Sequence, residues 1–139
     1  MEILGGMIMT QEDKELLLKD LCARLPYGVR IFVSGDDFDN YQYPYLLTAI
    51  SKFEQDSFCK IYSPIYTPLG CPGIENVKPY LFPLSSMTEE QNKEWLYTLS
   101  SDYHITYDTV DWCNKNHFDY RGLIENGLAI DATKENNPY

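Results

Sequence analysis

The sequence predicts an α+β fold: a small, strongly curved antiparallel sheet or half-barrel of roughly three to five strands, covered by an N-terminal helix and a C-terminal helical hairpin. Three observations carry this expectation. A capped, helix-periodic segment begins at residue 10. Runs of β-branched and aromatic residues with short connections fill the middle, and further helix-start signals occupy the C-terminal third. Sequential strands with short connections favour antiparallel pairing over crossover units.

The opening MEILGGMIM is apolar but too short to span a bilayer, and it lacks the positive start of a signal peptide. It reads as a flexible leader, residues 1–9, with Met1 or Met9 as the start. A single domain follows over 10–131, and 132–139 form a C-terminal tail. In TQEDKELLLKDLCARLP, Thr10 caps a helix, and Asp13 approximates the reciprocal half of a capping box. Leu17, Leu21 and Cys22 share a face with Leu18 and Leu25, while Glu12, Lys19 and Asp20 face water. Glu15 and Lys19 make a favourable i, i+4 pair, and Pro26 stops the helix.

Val29, Ile31 and Val33 alternate with Arg30 and Ser34, the period of a half-buried strand. DDFDN is an acidic turn. YPYLLTAISKF and SFCKIYSPIY predict two more strands joined by the short EQD connection. TPLGCPG is a loop by its Pro and Gly content, and NVKPYLFPL is an extended segment. Its Pro79 and Pro83 place it at a sheet edge or outside the ladder. In SSMTEEQNKEWLYTLSSD, Thr88 and Gln91 form a capping box, Glu89 and Glu90 suit the positive end of the helix dipole, and Trp95, Leu96 and Leu99 supply a buried stripe. HITY is a short strand or a connector.

The length of 139 residues suits one domain around one hydrophobic core. A hydrophobic content of 44%, with 12 Tyr and 6 Phe, argues against a disordered chain. Lys and Arg number 11 against 21 Asp and Glu, a formal charge of −10. Such a surface repels phosphate backbones and disfavours duplex nucleic acid. It leaves room for a local basic pocket holding a small anion, or for an acidic face directed at a basic protein. No run approaches the ~18 apolar residues of a membrane span, and a cytoplasmic location is expected. Cys22, Cys59, Cys71 and Cys113 form no C-x-x-C pair, so buried reduced thiols are expected, with no metal and no cofactor.

The stretch DWCNKNHFDYRGLIENGLAI concentrates chemistry-bearing side chains. Asp108 can cap a helix running through Val110, Cys113 and His117, with Trp112 beside them. Asp119 then caps a second helix, with Phe118 and Leu123 as its hydrophobic staple and Asn126-Gly127 as its end. His117, Tyr120 and Arg121 retain polar groups not consumed by this plan. Arg121 either clamps an anion, with Tyr120 or Trp112 stacking on a ring and His117 donating, or pairs with a nearby acid while His117 satisfies a carbonyl at the corner. Cys113 and His117, four apart on one helical face, are formally a nucleophile and base. Cys113, however, falls among apolar positions, whereas reactive thiols need an electropositive, open setting. No catalytic residue is assigned, because G-x-S-x-G, H-E-x-x-H and phosphate-loop sequences are all absent.

Three segments, TQEDKELLLKDLCARLPYGV, VKPYLFPLSSMTEEQ and NHFDYRGLIENGLAI, resemble a group of short uncharacterised proteins from gut anaerobes and their phages. The resemblance covers the first helix, the Pro-Tyr-Leu-x-Pro-Leu-Ser-Ser-Met-Thr junction and the C-terminal corner, and leaves the middle, residues 31–75, without a fixed pattern. It implies a mobile-element accessory protein with a role in phage–host conflict, and it carries no reaction.

A constant helical frame around a variable aromatic middle (Phe38, Tyr41, Tyr43, Tyr45, Phe53, Phe58, Tyr62, Tyr66) is the organisation of a binding module. The function expected is therefore non-enzymatic: sequestration of a small anionic ligand such as a signalling nucleotide. Arg121, Arg30, Lys60 and Lys78 are its candidate charge partners, and Tyr120, His117 and Trp112 its candidate stacking and donor groups. The alternatives are an acidic inhibitor or adaptor directed at a host protein, and an enzyme with an unrecognised site around Cys113, His117 and Asp119.

Overall fold

The computed structural model describes residues 3–4, 7–34, 44–53, 56–62, 68–70, 72–135 and 138–139. The expected DDFDN turn and the aromatic residues Phe38, Tyr41, Tyr43 and Tyr66 lie outside the described residues. Strands β1 (Ile3–Leu4) and β2 (Met7–Ile8) pair antiparallel, and Met9 after them is buried in the core. Helix α1 (Gln11–Arg24) starts at Thr10, whose hydroxyl accepts from the Asp13 amide while the Asp13 carboxylate accepts from the Thr10 amide. A 3-10 turn over Leu25–Tyr27 leads into β3 (Arg30–Val33), where Val29, Ile31 and Val33 point inward as their alternation requires.

The main sheet continues through β4 (Tyr45–Phe53), β5 (Asp56–Tyr62), β6 (Pro68–Gly70) and β7 (Val77–Pro83). After β7 come α2 (Glu89–Thr98), α3 (Tyr107–Lys115), β8 (Phe118–Asp119) and β9 (Ile130–Asp131). The order is β6-β5-β4-β3-β7-β8, with β9 also on β7, so the sheet is open. A register shift between Leu47 and Ala49 bends the β4–β5 pair. The fold is α+β, with α1 at the N-terminal side and the α2–α3 pair in the C-terminal half. Its core gathers Leu17 and Leu21 of α1, Ile31, Val33 and Leu47 of the sheet, and Leu81, Leu123 and Leu128 from the C-terminal half.

Three local expectations are corrected. The prolines of VKPYLFP point to an edge, yet β7 lies inside the sheet, between β3 and the β8–β9 pieces. The ladders explain the tolerance: β3 covers only Val77 to Pro79, β9 covers Tyr80 and Leu81, and β8 covers Phe82 and Pro83. A missing proline N–H therefore interrupts no long ladder. The sheet is also mixed, since β8 and β9 run parallel to β7. The chain passes through α2 and α3 before returning, which is the long crossover that parallel pairing needs. Finally, the loop expected in TPLGCPG contains β6, paired to β5.

Candidate functional site

The inward stripe of α1 carries charge as well as leucine. Positions 17, 20, 21 and 24 recur at three- and four-residue steps, so Asp20 and Arg24 share the face of Leu17 and Leu21. Asp20 does not face water as expected: both it and Arg24 are 0% exposed, joined by an Nε–Oδ2 hydrogen bond of 2.8 Å. Cys22, by contrast, sits on the flank of that stripe and is exposed.

Arg24 Nη2 donates to the Phe118 carbonyl at 2.6 Å and Nη1 to that of Cys113 at 3.5 Å, tying α1 to the C-terminal corner. Arg121 takes the other oxygen of Asp20, Nε to Oδ1 at 3.2 Å, and its Nη2 donates to the Tyr120 hydroxyl at 2.8 Å. Both guanidiniums lie over the Tyr120 ring, 5.3 Å (Arg24) and 4.7 Å (Arg121) from its centroid. Burial holds the Asp20 carboxyl above the usual carboxylate range, an effect that Arg24 and Arg121 offset only in part. Such a cluster stabilises only as a set, because removing one partner strands a buried charge.

Asp119 performs the capping role expected of it, but not for a helix. Its Oδ1 accepts from the amides of Arg121 (3.2 Å) and Leu123 (3.1 Å), and its Oδ2 from that of Ile124 (2.9 Å). The residues that follow form successive turns. Gly122, with φ 75°, cannot continue a right-handed helix, and Gly127, with φ 73°, ends the turns in the left-handed conformation expected of it. Upstream, α3 is capped by Thr106, which accepts from the Thr109 amide, so Asp108 lies in the first turn rather than at the cap.

His117 is past the end of α3, with φ 63°, so it does not share a helical face with Cys113. Its ring stacks on Tyr139, centroids 3.8 Å apart and planes 13° from parallel. Its Nδ1 is buried with no hydrogen-bond partner among the described residues. Burial, helped by Arg24 and Arg30, lowers the imidazole from 6.5 to about 4, so it is neutral near pH 7. Burial also raises the Cys113 thiol, which is 2% exposed, so little thiolate forms at neutral pH. Trp112 stacks on Phe118, with centroids 5.3 Å apart and planes at 6°, and donates from Nε1 to Glu94.

Of the candidate residues, Trp112, His117, Tyr120 and Arg121 are thus brought together at one corner, each engaged by neighbours within the fold. Arg30 and Lys78 lie on β3 and β7, in adjacent strands. Lys60 lies on β5, three strand spacings from β7, or ~14 Å. Asp20, Arg24 and Tyr139 complete the corner and are not anticipated from sequence. For the first two, a signal existed in the three- and four-residue spacing from the inward leucines. Tyr139 carried none. Its hydroxyl donates to the Tyr80 carbonyl (2.6 Å) and accepts from the Arg30 amide (3.2 Å), and burial raises its phenol.

The opposite organisation prevails where α2 meets α3. Thr88 caps α2 with Gln91 in a full capping box, but no residue of α2 is buried, and Leu96 of its expected inward stripe is 43% exposed. Three threonines lock the joint: Thr106 Oγ1 donates to the Thr98 carbonyl (2.7 Å), Thr98 Oγ1 to the Trp95 carbonyl (2.6 Å), and Thr109 Oγ1, 3.0 Å from both the carbonyl and the hydroxyl of Thr98, donates to that residue. The loop between them closes through Ser100 and His104, with Tyr103 held at φ 62°. On this frame Tyr97 is 90% exposed, Tyr103 75%, Ile105 67% and Tyr107 92%. Glu94, Asp102, Asp108 and Asp111 are interspersed with them.

Two cavities lie in this half of the molecule. A cleft of about 350 Å³ opens between the end of β7 and the Asp119 turns, and a smaller one of about 60 Å³ is lined by Ile105, Trp95 and Thr109 of the joint. Tyr120 and Leu84 line both; Arg121, His117 and Trp112 line neither. Among the described residues, no group of three His, Cys, Asp or Glu side chains could hold a metal ion, and no helix is long and apolar enough to cross a membrane. No family model matches the chain, and no curated protein and no solved structure matches it.

Proposed function

We propose that the protein is a non-enzymatic binding module directed at a protein partner with a basic surface, which it docks through the α2–α3 joint. The observation that carries this reading is the exposure of Tyr97, Tyr103, Ile105 and Tyr107 on a turn locked by threonine hydrogen bonds. Tyrosine gives large contact area with a polar tip at low entropy cost, and a rigid presenting turn reduces what binding must order. Tyr103 is a non-glycine residue held in the left-handed region, a conformation that recurs at binding sites. The surrounding carboxylates and the net charge of −10 select a basic partner. Sequestering a small anion instead would fall to Arg30, Lys60 and Lys78, because the guanidiniums of Arg24 and Arg121 are both held by Asp20. In the mobile-element setting that the resemblance implies, the partner is a host protein.

The test is a titration of the isotope-labelled protein, followed by backbone amide shifts. The probes are dodecamer peptides that alternate Lys or Arg with Leu or Phe, and acidic peptides of equal apolar content. The basic set should shift amides of residues 94–111, more weakly at 300 mM than at 50 mM salt, because exposed charge pairs are screened. The Tyr97→Ser/Tyr107→Ser variant should lose the response. Equal response to the acidic set, or self-association abolished by the same variant, would sink the reading.

A further inference from the structure

We infer that the two cavities beside the docking surface form a paired recognition site, the larger taking a Lys or Arg side chain of the partner and the smaller the apolar side chain next to it. This rests on the docking reading above and adds the chemistry of the bound segment. The larger cleft is lined by the apolar Pro83, Leu84 and Ile124 together with the polar Ser85, Asp119, Tyr120 and Glu125. That is the complement of a long basic side chain, whose stem is aliphatic and whose head is charged.

The local charge agrees. Asp119 and Glu125 line the cleft and neither is in an ion pair among the described residues, whereas Arg24 and Arg121 are held by Asp20. Glu125 is exposed and has no ion pair among the described residues. The smaller cavity is lined by Trp95, Ile105, Val110 and Cys113, which offer a guest mainly apolar contact. Its volume of about 60 Å³ is several times the ~10–15 Å³ that one water needs, and suits a branched hydrocarbon tip. Leu84, 40% exposed, and Tyr120 belong to both cavities, so one extended segment crossing them reaches both at once. Ile105 lines the smaller cavity and is exposed on the joint, which links the three features through shared residues.

Capped dipeptides test this without engaging Tyr97 and Tyr107 of the joint. Acetyl-Leu-Arg-amide should shift the amides of Tyr120, Ile124 and Glu125. Acetyl-Leu-Gln-amide and acetyl-Ala-Arg-amide should each bind about three- to tenfold more weakly, the first by losing a charge-assisted contact and the second by leaving the apolar cavity unfilled. Glu125→Lys, at an exposed position, should abolish the arginine preference while leaving the spectrum of the free protein folded. Tyr97→Ser/Tyr107→Ser should leave dipeptide binding unchanged, so loss of the docking response and loss of the paired site are read separately. Equal binding of the Arg and Gln dipeptides, preference for acetyl-Leu-Glu-amide, or shifts confined to other residues would overturn the inference.

Discussion

The Asp119 corner and the α2–α3 joint are assembled from similar side chains and put them to opposite use. At the corner, Asp20, Arg24, Arg121, Asp119 and Tyr120 turn toward one another, and their hydrogen bonds run mostly to each other or to backbone, while His117 is held by its stack on Tyr139. At the joint, tyrosines point outward and the internal hydrogen bonds are left to threonines. A dense cluster of polar and aromatic residues in sequence is therefore no measure of a site. What separates the two regions is whether the groups are already satisfied within the fold.

The comparison can be broken by substitution. The largest loss should follow Arg24→Ala, which leaves Asp20 buried with one partner and the Phe118 carbonyl without its donor. About 3–5 kcal/mol is expected, read from the denaturation midpoint. A loss below 1 kcal/mol would mean that the corner is not a buried charge cluster. Asp119→Ala should cost about 2 kcal/mol, because several amides of the following turns lose their acceptor.

An acid titration comes next. The fold favours neutral His117, so the unfolded chain binds the additional proton between pH 6.5 and about 4. Stability present above pH 6.5 should fall through that window, by on the order of 1–2 kcal/mol after allowing for partial exposure. His117→Asn, which keeps a left-handed backbone accessible without the titrating ring, should flatten this slope. An unchanged slope would place the titrating group elsewhere. Arg121→Ala, whose side chain is 17% exposed, should cost about 1 kcal/mol, less than Arg24→Ala because Arg24 remains to neutralise Asp20. At the joint, Tyr97→Ser/Tyr107→Ser should change stability by under ~0.5 kcal/mol. A large loss there would show that these tyrosines serve the fold.

Much of the local structure was legible. Thr10 and Thr88 announce their helices because a capping box is a contact between residues three apart. The Val29–Ile31–Val33 alternation announces β3 for the same reason of range. Strands β8 and β9 were not legible, since two residues carry no period. The helix expected after Asp119 failed on one residue, Gly122, whose φ depends on how the turn packs.

By itself, the sequence determined the fold class, the starts of α1 and α2, the inward face of β3 and the use of Asp119 as an acceptor for the amides that follow it. Each of these depends on contacts a few residues apart or on a simple period. Only the tertiary structure decided that Asp20 is buried, that Arg121 spends its charge on it, that Tyr139 returns to stack on His117, and that Tyr97 and Tyr107 stay outside. Those outcomes depend on which partner meets a side chain across a separation of many residues. Coulomb pairing and desolvation act on that encounter, and no local pattern records it.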